Sequence, residues 1–226
     1  RLFGYNPVEP VPAQYNIVAT NGSQTVVSTV ATGAQFSTFT ADNNGNYIYF
    51  ENLAATPTGI SANSSAVVLV TEGRTVSTTQ VTVSDGTPDQ TYPIWDDSLV
   101  YASSLVVTIG GSLDNNNVVQ GGVTYSKVDN LIDWGPNDTK FSTYYDGNGV
   151  LNIRFGDGVS GKIPPNNSAI FVQYRKGSGS AGNVGANTIT NIVSNGGLDY
   201  AYLANNITNT TGTGVVIGTD PESTDS

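Results

Sequence analysis

Apolar and polar residues alternate at period two along much of the chain, and almost nowhere do they follow the 3.6-residue spacing of an amphipathic helix. Leu151, Ile153 and Phe155 alternate with Asn152 and Arg154, while Ile170, Val172 and Tyr174 alternate with Phe171, Gln173 and Arg175. Each run predicts a strand with one buried face. Further strands are predicted at residues 15–19, 25–30, 47–50, 67–71 and 76–83, then at 99–101, 105–109 and 123–128, with short ones at 192–193, 200–203 and 215–217. Turn chemistry separates them at Asn21-Gly22, Asn43-Asn44-Gly45, Pro57-Thr58-Gly59, Glu72-Gly73 and Asp146-Gly147-Asn148-Gly149, where Asn and Gly permit left-handed backbone. The fold class is therefore all-β, antiparallel or mixed and turn-rich, with helix well below the ~30% usual in globular domains. No internal period of roughly 20–50 residues stands out, so a solenoid is not expected.

Punctuation along the chain divides it. Residues 1–13, with Pro7, Pro10 and Pro12, form a Pro-rich lead-in linker, and residues 14–84 a first β subdomain. Residues 85–97 carry two prolines and four aspartates and mark the boundary. A second β subdomain follows at 98–218, and the acidic, polar residues 219–226 form an exit linker.

The most informative stretch lies between and just after the two strands described first. Phe155-Gly156-Asp157-Gly158 and Gly161 tolerate unusual backbone angles, and Pro164-Pro165 keeps the chain extended before the next strand. This reads as a hairpin built around FGDG. Beyond Tyr174 and Arg175, residues 177–183 hold Gly179, Gly182 and Asn183 in a loop too poor in apolar groups to pack by itself, so it must lean on something else.

The segment IRFGDGVSGKIPPNNSAIFVQYRKGSGSAGNVGANTI, at residues 153–189, resembles the hallmark region of the baseplate wedge proteins of contractile phage tails, the T4 gene product 6 and baseplate J-like family. GYNPVEPVPAQ resembles that family's lead into its β-rich region, and ATGAQFSTFT, YIYFEN and VVLVTEGRTV resemble its first β segment. Trp134, Pro136 and the DGNG turn precede FGDG in the family's order, and GTDPES resembles the start of a following helical region. The resemblance covers most of the chain. It implies a structural subunit that joins wedges around the hub and supports sheath attachment. Its partners would be other copies of itself and other wedge or sheath-base proteins, in the virion tail baseplate, after assembly in the host cytoplasm. It implies no catalytic residues. The structural and interface candidates are Phe155, Gly156, Asp157, Gly158, Gly161, Pro164, Pro165, Tyr174, Arg175, Gly179, Gly182 and Asn183.

Composition narrows the chemistry. With no Met and Arg1 at its start, the chain reads as a segment of a longer protein, and no run approaches the ~20 apolar residues of a membrane helix, so a soluble segment without membrane insertion is expected. Hydrophobic residues make up 38% and charged residues 12%. Eighteen acidic against eight basic residues give a net charge of −10, which opposes binding to phosphate backbones, so nucleic acid is not an expected partner.

Without His or Cys, neither a Ser-His-Asp triad nor the usual zinc ligand sets can form. Asp85, Asp89, Asp96, Asp97 and Asp157 offer carboxylates for glycoside hydrolysis or Ca²⁺, but no EF-hand pattern occurs, and Asp beside Gly and Pro usually caps turns. Gly177, Gly179 and Gly182 match Gly-x-Gly-x-x-Gly, yet the residues after them make a poor helix, so no dinucleotide cofactor is expected. The Asn-x-Ser/Thr sequons, such as Asn206-Ile207-Thr208, are expected by chance in so Asn- and Thr-rich a chain. No enzyme activity, metal, cofactor or small-molecule substrate is assigned. Trp134 reads as a core aromatic. The alternative function is a carbohydrate-binding or adhesin-type β domain using Tyr47, Tyr49, Tyr144 and Tyr145 as sugar platforms.

Overall fold

The computed structural model describes residues 8–40, 46–204 and 206–221. The expected turn at Asn43-Asn44-Gly45 and the outer parts of both linkers, residues 1–7 and 222–226, lie outside these. In chain order the strands are β1 (Gln14–Thr20), β2 (Ser28–Val30), β3 (Gln35–Thr38), β4 (Tyr49–Glu51), β5 (Thr58–Ile60), β6 (Ser65–Glu72), β7 (Arg74–Val83), β8 (Thr91–Ile94) and β9 (Leu99–Ile109). They continue as β10 (Ser112–Leu113), β11 (Val119–Gln120), β12 (Val123–Lys127), β13 (Lys140–Tyr145), β14 (Leu151–Phe155), β15 (Ala169–Gly177), β16 (Ile189–Ser194) and β17 (Ile207–Asn209). Strand accounts for 45% of the residues and helical turns for 2%, so the protein is all-β.

Contacts divide the chain into two compact units. The flanking unit is Pro10–Arg74 with Gly177–Asp220, and the unit inserted between them in sequence is Thr75–Lys176 with residues 8, 9 and 221. The expected boundary at 85–97 lies inside the inserted unit. Pro88 and Asp89 form a turn there, Asp85 Oδ1 accepts from Thr87 N at 2.9 Å, and Pro93 lies within β8, so the segment belongs to one body.

In the flanking unit six strands follow the order β16-β3-β4-β6-β1-β17, a nearly closed barrel. Alternation decides the faces: Tyr15, Ile17 and Ala19 of β1 and Val68 and Val70 of β6 are buried, while Val67 and Leu69 are exposed. Tyr15 pairs with Val70 and Ile17 with Val68 across the ladder. Tyr15 also meets Phe50 edge to face at 5.7 Å. Its hydroxyl donates to Val184 O at 3.0 Å and accepts from Val184 N at 2.7 Å, which satisfies a buried phenol. Between β16 and β17 the fully buried Asn209 takes the place of a ladder. Its Oδ1 accepts from Thr188 N and Ile189 N, both at 2.9 Å, and its amide donates to Gly185 O and Thr211 O.

In the inserted unit seven strands follow the order β7-β15-β9-β12-β13-β14-β8, with β12 and β13 parallel. Phe141, Leu151, Ile153, Phe155, Ile170 and Val172 fill its core, and Tyr125 packs edge to face on Phe155 at 5.6 Å. Two expectations are corrected. The strands around FGDG form no hairpin: β14 pairs with β13 and β8, whereas β15 lies between β7 and β9. A tight turn forces neighbouring strands together, but residues 156–168 are a long connection stiffened by Pro164-Pro165, which frees β15 to join another part of the sheet. Nor does β15 have a single buried face, because Phe171 and Arg175 are as buried as Val172 and Tyr174. The runs at 99–101 and 105–109 form one strand, β9, and residues 200–203 form a turn rather than a strand.

Candidate functional site

The twelve candidates do not converge on one place. Phe155, Gly156, Asp157, Gly158, Gly161, Pro164 and Pro165 lie at one loop cluster of the inserted unit, Tyr174 and Arg175 in β15 of that unit, and Gly179, Gly182 and Asn183 in the flanking unit.

The loop cluster ties three segments together. From residues 84–90, Asp89 N donates to Gly156 O at 3.2 Å, and Gln90 O accepts from Phe155 N at 3.0 Å. From residues 131–138, Trp134 O and Gly135 O share Gly161 N at 3.2 Å, and Asp138 O accepts from Lys162 N at 2.9 Å. Inside the FGDG loop Gly158 N donates to Gly161 O at 3.1 Å. Pro164 O lies 2.9 Å from the buried Ser84 hydroxyl, and Pro165 O accepts from Ser168 N at 3.2 Å.

The two glycines of FGDG are required for different reasons. Gly158 has φ of 84°, a region that disfavours a side chain. Gly156 lacks a positive φ; a Cβ there would stand 2.2 Å from Gly161 C and O, so close backbone approach requires it. Asp157 turns its carboxylate onto the loop itself, with Oδ1 accepting from Ser160 N at 2.6 Å and Val159 N at 2.8 Å. Those bonds, Ser160's first, hold its pKa below the ordinary carboxylate value.

This end of the unit also exposes apolar side chains on two bonded loops: Ile132 is 70% and Val159 74% exposed. Trp134 is half-buried, with Lys140 Nζ 4.2 Å above its ring, so it is a cation–π partner at the surface rather than a core residue.

Elsewhere the candidate polar groups hold strands and loops together. Tyr174 OH donates to Asp96 Oδ2 and Lys176 Nζ to Asp96 Oδ1, both at 2.8 Å, and Ser98 N donates to Asp96 Oδ1 at 3.0 Å. Burial pulls the Asp96 pKa upward, but these three donors outweigh it and hold the carboxyl below its ordinary value. Burial, then the Asp96 carboxylate, pushes the Tyr174 hydroxyl well up. Arg175 is buried, and its guanidinium donates to Thr75 Oγ1 at 3.3 Å.

The Gly-rich segment leans on its own unit. Gly179–Gly182 forms one 3₁₀ turn, and no helix follows to receive a pyrophosphate. A Cβ on Gly182 would stand 2.5 Å from Cγ of the buried Glu72, whose Oε1 accepts from Ser178 N at 2.7 Å. Ser180 N and Oγ donate to Asp220, and Asn183 and Gly218 exchange two hydrogen bonds of 2.8 Å. The sequence offered Glu72 only as a turn residue beside Gly73, so its role as the body beneath the glycines was not legible.

The carboxylates of residues 85–97 point to separate partners: Asp85 to Thr87, Asp89 to Arg154 at 2.7 Å and Asp96 to Lys176. Among the described residues no group of three or more His, Cys, Asp or Glu side chains is placed to hold a metal ion. The four tyrosines offered as sugar platforms are divided between the two units. Tyr145 is buried with its hydroxyl donating to Val100 O at 2.5 Å, Tyr49 lies under the Arg74 guanidinium, and Tyr47 and Tyr144 belong to different units. No protein-family model matches the chain, and neither does any curated protein.

Proposed function

We propose that the chain is the β-rich part of a structural subunit of a contractile-tail baseplate wedge, joining wedges around the hub and supporting sheath attachment. The observation that carries this reading is the use made of the FGDG–Pro–Pro segment whose residues resemble that family. Gly156 permits a backbone crossing, Asp157 caps its own loop, and Gly161 bonds the loop to residues 134 and 135. These are architectural roles. The same loop cluster presents Ile132 and Val159 to solvent, which suits a contact with a neighbouring subunit. The Gly-rich loop is less suited to that contact, because its backbone groups find partners within its own unit. The partners are other copies of the parent protein and other wedge or sheath-base proteins, and the setting is the virion tail.

The test is cryo-electron microscopy of purified contractile tail particles encoded beside the parent gene. The reading expects this chain's density in the baseplate, in several copies around the axis. Particles whose baseplates lack the chain would overturn it.

A further inference from the structure

Beyond the assembly reading and independent of it, we infer that the inserted unit carries a binding cleft for a short, neutral saccharide beneath the β10–β11 arm. The β9–β12 hairpin runs on into this arm through two facing glycine pairs, Gly110-Gly111 and Gly121-Gly122, with φ between 73° and 82°. A Cβ on Gly111 would stand 2.6 Å from Gln120 O, and one on Gly122 2.5 Å from Gly110 O, so the strands cross here closer than any side chain allows. The arm's tip and the sheet's non-core face border an open surface cleft of about 380 Å³. That volume is in the range of small-molecule sites.

The cleft's chemistry specifies the ligand class. Its polar side chains are Ser77, Thr78 and Thr108 from β7 and β9, Gln173 from β15, and Asn116 and Asn117 from the arm. Every one both donates and accepts hydrogen bonds, as sugar hydroxyls do, and none is charged. In a chain of net charge −10, a lining without carboxylate or cation favours neither anions nor cations. Among the described residues these six side chains have no hydrogen-bond partner within the chain, so their polar groups are available to a ligand. By contrast, the amides of Asn21, Asn52, Asn195 and Asn209 are all committed to backbone groups. Val106 and Val118, both exposed, supply apolar surface for the C–H faces of a sugar ring.

Saturation-transfer NMR and calorimetric titration of the chain with glucose, galactose, N-acetylglucosamine and their short oligomers test the inference, with sialyllactose as the charged comparison. At least one neutral saccharide is expected to bind, and more tightly than sialyllactose. Gln173→Ala should weaken that binding about tenfold, the effect of losing one or two hydrogen bonds, without moving the melting temperature. Asn117→Gly is the second variant: it deletes an amide but keeps the turn, whose φ of 58° glycine accepts readily. Absence of binding by every neutral saccharide at millimolar concentration, a preference for sialyllactose, or binding unchanged in both variants would each overturn the inference.

Discussion

Replacing Gly156 with Ala tests the view that FGDG is a backbone crossing rather than a tolerant loop. The added Cβ would stand 2.2 Å from Gly161 C and O, more than an ångström inside ordinary contact, and 2.6 Å from its Cα. Those atoms are backbone, so no rotamer change relieves the clash. The loops must part, which stretches the bonds from Gly158 N to Gly161 O and from Gly161 N to residues 134 and 135. Overpacking of this kind costs about 1–3 kcal/mol, and each backbone bond lost adds about 1 kcal/mol, for a total of roughly 3–5 kcal/mol. In a unit of about a hundred residues that corresponds to a fall in Tm on the order of 15 °C. Both tryptophans, Trp95 and Trp134, lie in the inserted unit, so tryptophan fluorescence during thermal melting reports that unit alone. Gly158→Ala should cost about 1 kcal/mol or somewhat more, through its positive φ. Gly147→Ala is the control, since a Cβ there meets nothing within 4 Å and no positive φ opposes it. If Gly156→Ala melts with Gly147→Ala, the crossing argument is wrong.

Two more perturbations probe the remaining structure. Asn209→Ala removes the buried side chain between β16 and β17 and strands Thr188 N and Ile189 N, so it should destabilise the flanking unit by about 3 kcal/mol, read by urea titration with circular dichroism. Asp96 has a folded pKa below its ordinary 3.8, so its contribution is present above that value and is lost as pH falls through the folded pKa. The stability of wild type should therefore drop more steeply below about pH 4 than that of Asp96→Asn, and equal slopes would refute the role given to Lys176 and Tyr174.

Period-two alternation made the strand class legible because burial on one face leaves a local signature, as in Tyr15, Ile17 and Ala19 against Asn16 and Val18. Topology is not local in that sense. Nothing in residues 156–168 says that β15 joins β7 and β9 instead of β14, since a long connection permits both. The inserted arrangement was hidden for a related reason: the chain leaves the flanking unit after Arg74 without a linker-like composition, and the Gly/Ser-rich residues where it returns, 177–182, read equally well as a loop within one subdomain. Within the candidate site, the glycines signalled special backbone, but the cause at Gly156 is a neighbour five residues on and at Gly182 is Glu72, far away in sequence. Bulky substitutions at Gly182 therefore report first on packing against Glu72.

The most direct test of the assembly reading places Ile132→Asp and Val159→Asp together in the full-length parent protein, alongside its partner subunits. Both side chains are exposed, so the fold should survive, as the melting temperature of the doubly substituted chain would verify. Negative-stain microscopy then counts complete baseplates. The account predicts a large loss of assembled baseplates with the fold intact; a normal yield would contradict the placement of the subunit contact at the FGDG end of the inserted unit.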